Sequence, residues 1–210
     1  MIRTVTGIGM AVAVVLLGGC GSDSGDPGGS AGGTTTAGRN ATVTDGPLAG
    51  MDGGKLCGMV DLTLLEDRFG EPFADALGGV NPPEQRSSVV CTYQSQAFID
   101  AEVADLADKL QVTTKLTAVT DASSAQDALD AALADDGKTV AYQPVDGLGA
   151  AAGYAGSDLN VGSGGSNLVA IVEVDGAFVE IVTKAAPEGT AEQLRPIADE
   201  LVPKVESELR

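Results

Sequence analysis

The chain has 210 residues, 43 % of them hydrophobic, which is enough for one globular core; aromatics are 3 % and Trp is absent, so Val, Leu, Ile and Ala must build it. A formal net charge of −18 repels nucleic acid and anionic headgroups, while it admits a cationic or Ca²⁺-bridged partner. The absence of His removes His-based triads, His metal sites and His pH switches.

The first twenty residues read as an export signal. Met1, Ile2 and Arg3 form a short basic start, and Thr4 to Leu17 are apolar or small and uncharged. That run is too short and too Gly-rich for a stable spanning helix. It ends in Leu17-Gly18-Gly19-Cys20, the pattern of a bacterial lipobox. Lipidation there needs a thiol at +1, small residues before it and an apolar residue at −3, and these four residues supply them. Diacylglycerol and palmitate on Cys20 would anchor the chain at the extracytoplasmic face of the cell membrane, each buried methylene adding about 0.8 kcal/mol. The expected division is a signal peptide over 1–19, a lipidated Cys20 with a Gly/Ser/Thr tether over 20–54, and a folded domain over 55–210. Asn40-Ala41-Thr42 matches a glycosylation sequon by accident in this setting.

Three Cys are present. With Cys20 acylated, Cys57 and Cys91 remain as an even pair in an oxidising compartment, where pairing is expected. The bond would close a loop of about 34 residues, which chain entropy values at roughly 4 kcal/mol. Two Cys without His are a poor zinc set, and a redox pair would stand closer in sequence.

Along the domain, the run from Asp61 to Gly70 reads as a short helix following Cys57. Thr63 and Glu66 have capping-box spacing, Asp61 is an alternative cap, and Gly70 suits the end. A second short helical stretch is predicted over 72–77, then a loop over 78–88 and a strand over 89–93. Residues 101–110 suggest a brief helix and 111–119 a strand. Ser123 or Ser124 caps a helix over 125–134 with Ala125, Ala128, Leu129, Ala132 and Leu133 on one stripe. A strand over 139–145 is broken by Pro144, and a short strand is expected around Tyr154. Asp175-Gly176 between β-rich runs predicts a type I′ hairpin. Its register pairs Val174 with Ala177, Val172 with Val179 and Ala170 with Ile181 on an apolar face. The opposite, mixed face should be at most partly covered. A final amphipathic helix from Thr190, with Gln193 at capping-box spacing, should be shifted or kinked by Pro196 and Pro203.

Taken together, the lipobox at Cys20, Leu56-Cys57 before a Leu-rich helix, Cys91-Thr92-Tyr93, Val145-Asp146-Gly147-Leu148-Gly149-Ala150-Ala151, the hairpin and the Leu/Val-rich last helix form a pattern. It resembles an actinobacterial lipoprotein family known as domain of unknown function 3558, over about residues 55–207. Tyr93 stands where that family usually has Trp, and Ala150 where it usually has an acidic residue. The resemblance implies a small α+β domain with a disulfide, located in the cell envelope, and no catalytic residues.

Other motifs weigh little. Gly147-x-Gly149-x-x-x-Gly153 lacks the helix that a dinucleotide loop requires and reads as a tight turn. Gly162-Ser163-Gly164-Gly165-Ser166 lacks the Lys of a phosphate loop. Asp158-Leu159-Asn160 offers two oxygen ligands, short of a Ca²⁺ loop. Glu173 and Glu180 fall on one hairpin face as diagonal neighbours, about 7–8 Å apart at the backbone. That is within the range of glycosidase carboxylates, although half-exposed strand Glu residues are ordinary. No Ser-x-x-Lys occurs in the domain. The expectation is therefore an α+β fold, an antiparallel sheet with helices packed on it, in a single disulfide-stapled domain. The leading role is a non-enzymatic binding or accessory module of the cell envelope, with an envelope protein or small ligand as partner and no cofactor or metal. The alternatives are a small-ligand-binding lipoprotein serving a transporter or sensor, and a carboxylate-dependent hydrolase.

Overall fold

Asp175 and Gly176 take positive φ, 50° and 79°, and fold the chain back on itself. The strands they join pair in the expected register, Val174 with Ala177, Val172 with Val179 and Ala170 with Ile181. The computed structural model describes residues 41–81, 87–135, 138–139, 141–156 and 166–210, all within the unit Thr35–Arg210. Around the hairpin it builds one large antiparallel sheet with helices packed on it.

In chain order the elements are a 3-10 turn at Gly46–Leu48, helices α1 (Gly53–Cys57) and α2 (Leu62–Phe69), and strands β1 (Phe73–Asn81) and β2 (Ser88–Ser95). Helix α3 (Gln96–Ile99) and a 3-10 stretch at Val103–Asp108 lead to β3 (Gln111–Val119) and α4 (Ala125–Ala132). Then come β4 (Ala134–Asp135), β5 (Lys138–Thr139), β6 (Gln143–Pro144), β7 (Ala151–Ala155), β8 (Ser166–Val174), β9 (Ala177–Ala186) and α5 (Ala191–Glu208). Seven strands form the sheet in the order β1-β2-β3-β9-β8-β7-β6, while β4 and β5 make a separate ladder. The hairpin strand β9 is therefore central. Among the described residues no helix is long and apolar enough to cross a membrane.

The pleat sorts side chains onto two faces. On the inner face, Val89, Cys91, Tyr93, Val112, Leu116, Ile181, Val179, Val172 and Ala170 are buried beneath α1, α2 and α5 in one continuous core. Helix α5 contributes Leu194, Ile197, Ala198, Leu201, Val202 and Val205. On the outer face, α4 sets Ala128, Leu129 and Leu133 against Val169 and Ile171, with Phe178 and Val182 at the margin. This covers the mixed hairpin face only in part, as its composition required: Ile171 is buried and Glu173 exposed.

Four expectations need correction. Residues 72–77 are not helical; they open β1, whose Ala76, Leu77 and Gly78 pair with Tyr93, Thr92 and Cys91. Pairing with β2 overrides the local preference of the Ala- and Leu-containing run. The folded region begins before residue 55. Val43, Leu48 and Met51 are buried, and Val43 N donates to Met51 O at 2.8 Å while Gly50 N donates to Val43 O at 2.8 Å. Asp61, not Thr63, caps α2, its carboxylate accepting from Thr63 N at 2.9 Å. Finally, Pro196 and Pro203 do not shift the start of α5, which begins at Ala191 and includes both prolines. Each interior proline costs about 3 kcal/mol, but burying each Leu, Ile or Val of the stripe returns about 1.5–3 kcal/mol, so the stripe prevails. Its start is the expected capping box: Gln193 N donates to Thr190 Oγ1 at 3.2 Å, and Thr190 N donates to Gln193 Oε1 at 2.9 Å.

Candidate functional site

Two places in the fold concentrate the residues singled out from the sequence. The first is the cysteine pair. Cys57 closes α1, Cys91 lies buried in β2, and the two form a disulfide with a Cα–Cα distance of 5.3 Å. Helix α1 lies directly on β1 because Gly53 and Gly78 have no side chains. A Cβ on Gly78 would stand 2.3 Å from Gly53 O. Two residues beyond Cys91, the buried Tyr93 hydroxyl donates to Cys57 O at 3.2 Å. Burial pushes this phenol up to about 12. The pair is thus held in a half-buried, hydrogen-bonded clamp between helix and sheet. Its chemistry is cross-linking.

The second is the segment before β7. Gly147 and Gly149 have φ of 71° and 61°, and Ala150 N donates to Ile171 O at 2.7 Å. A Cβ on Gly149 would lie 2.4 Å from that same carbonyl. The motif is a tight turn leading into strand β7, with no helix following it directly in the chain. Glu173 and Glu180 occupy the outer hairpin face opposite Phe178 and Ile171 respectively. Neither lines the surface grooves described next. Asp158, Asn160, Gly162 to Gly165 and Cys20 lie outside the described residues; Ser166 opens β8.

An open groove of about 590 Å³ runs along the start of α5, lined by Gln143, Tyr154, Glu188, Gly189, Thr190, Glu192 and Gln193. A smaller one of about 350 Å³ adjoins it and adds Asp146, Leu168 and Arg195. Tyr154 shapes the floor, its hydroxyl donating to Gly189 O at 2.9 Å. Arg195 pairs with Asp199 at 2.7 Å. The sequence announces the Thr190/Gln193 cap, but not this groove, because the Tyr154–Gly189 contact joins residues far apart in the chain. The lining offers carboxylates and amides without a nucleophile–base pair. A third groove, of about 430 Å³, lies where α1 meets α5. There Lys204 Nζ donates to Met59 O at 2.7 Å, and Lys55 pairs with Glu208 at 2.6 Å, a bond that raises the Lys55 ammonium above its ordinary range. Among the described residues no three His, Cys, Asp or Glu side chains gather as a metal site.

No protein-family model, no curated protein and no solved structure matches this chain.

Proposed function

We propose that the protein is a membrane-anchored extracytoplasmic lipoprotein, and that its α+β domain is a non-enzymatic binding or accessory module of the cell envelope. The observation that carries this reading is the Cys57–Cys91 disulfide, in a chain whose third Cys follows an apolar N-terminal run. A structural disulfide belongs to an oxidising compartment, and the lipobox gives the remaining thiol its use. The likeness to domain of unknown function 3558 belongs to the same proposal. The open grooves support docking over enclosure of a small apolar ligand, which calls for a concave site that buries most of its surface. Their lining pairs no nucleophile with a base, which gives a hydrolase no positive support.

The test is fractionation of cells expressing the full chain or Cys20→Ala, with metabolic labelling by a palmitate analogue. The full chain is expected in the membrane fraction and labelled, and Cys20→Ala soluble and unlabelled. A Cys20→Ala protein that keeps its label and stays in the membrane overturns the anchor. Crosslinking in intact cells then separates accessory from solitary function: a discrete protein adduct supports the module.

A further inference from the structure

The sheet has two edges, and they are treated differently. At one, β6 is two residues long and includes Pro144, which has no N–H to offer. At the other, β1 is nine residues long, contains no Pro or Lys, and pairs with no further strand among the described residues. Its one irregularity, between Phe73 and Asp75, leaves the register from Ala76 to Asn81 regular. Proteins blunt exposed edges with short strands, prolines, lysines or bulges. Residues 77–81 carry none of these.

The core is also unfinished on this side. Gly78 lies under the Gly53 backbone of α1, but Val80, on the same inner face, remains half-exposed where its β2 partner Val89 is buried. Leu77, on the outer face, is exposed. The other large apolar side chains exposed among the described residues, Ile99 and Val103, belong to the connection that starts beside β1, where Gln96 N donates to Pro72 O at 2.8 Å.

We infer that residues 77–81 of β1 form a docking edge that takes an extended, cationic segment of a partner protein by strand addition. Backbone hydrogen bonds to the edge provide the affinity common to such additions, and alternate side chains read the two faces. On the inner face apolar residues of the segment cover Val80; on the outer face they meet Leu77. Charge selects the occupant. In the chain, Glu66, Asp67, Glu71 and Glu84 flank β1 against Arg68 and Arg86, and Asp100, Glu102, Asp105 and Asp108 follow β2. A second copy would bring the same net charge of −18 and is repelled. The inference deepens the binding-module reading and rests on it, but its test does not depend on the anchor.

The experiment uses the folded full chain and three synthetic peptides: alternating Lys–Val, alternating Glu–Val, and Lys–Val interrupted by Pro. Hydrogen exchange is followed residue by residue, with anisotropy of labelled peptide for affinity. The Lys–Val peptide is expected to slow exchange of the β1 amides, and to weaken with salt. The Glu–Val and Pro-interrupted peptides should bind about tenfold more weakly or less. Leu77→Lys, at an exposed position, should lose a similar factor while keeping its unfolding midpoint; Val103→Lys, off the strand, should bind as the parent does. Equal binding of Lys–Val and Glu–Val, protection confined to regions other than β1, or no binding by any peptide overturns the proposal. So does a concentration-dependent dimer that protects β1, since it gives the edge to a second copy.

Discussion

The two faces of the sheet solve the same problem to different depths. The inner face carries α1, α2, α5 and the buried loop around Leu48 and Met51, and is closed by a disulfide. The outer face carries one helix of eight residues over the hairpin and β7. Each face ties a helix to the rest of the fold through a tyrosine. Tyr93 donates to Cys57 O from a buried position, whereas Tyr142 donates to Asp130 at 2.9 Å and accepts from Gln126 at 2.7 Å close to solvent. Both phenols are raised by burial first, but Tyr93 reaches about 12. The inner face is thus the more deeply covered of the two, and the outer face holds a smaller buried cluster under α4.

Substitutions can break or sharpen that contrast. The largest effect is expected from Cys57→Ser with Cys91→Ser, which removes the inner-face clamp and should lower unfolding free energy by about 4 kcal/mol in urea titration. Next, Ile181→Ala on the inner face should cost about 3–4 kcal/mol and Leu129→Ala on the outer face about 2 kcal/mol, because the smaller cluster can relax into its cavity. Equal losses would erase the distinction between the faces. The Tyr93 phenol has a folded pKa above its unfolded value, so its contribution is complete below about pH 10 and is lost as pH rises through about 12. Urea midpoints of the parent should therefore fall across that window, and those of Tyr93→Phe should fall less. The smallest effect runs the other way. Thr183 Oγ1 is buried without a hydrogen-bond partner among the described residues. Thr183→Val should raise stability by about 1 kcal/mol, measured by thermal melting.

The hairpin could be read from the chain because Asp175-Gly176 fixes its turn locally and β-branched residues fix its faces. Ser124 and Thr190 likewise announce the starts of α4 and α5, donating or accepting within their own first turns. β1 was hidden because Ala74, Ala76, Leu77 and two glycines have little strand preference of their own; β2 imposes it. Val43, Leu48 and Met51 were hidden for another reason. They sit among Gly, Pro and Asp with no period, and only the completed sheet gives them something to cover. The Cys57–Cys91 pair was legible by counting, whereas the groove beside α5 depends on Tyr154 reaching Gly189, a contact with no local trace.

The loop around Leu48 also decides how the domain bears load. A pull on the chain ahead of residue 41 reaches first the bridge between Thr42 and Asp52, and then the buried Leu48 and Met51. If that hook is drawn out, the chain can lengthen only as far as Cys57, which is covalently joined to β2. Sixteen or so residues extend by at most about 55 Å. Tension then passes through the sulfur bridge into β2, so the enclosed loop with α2 and β1 stays unstretched. The hook acts as a spring and the disulfide as its stop.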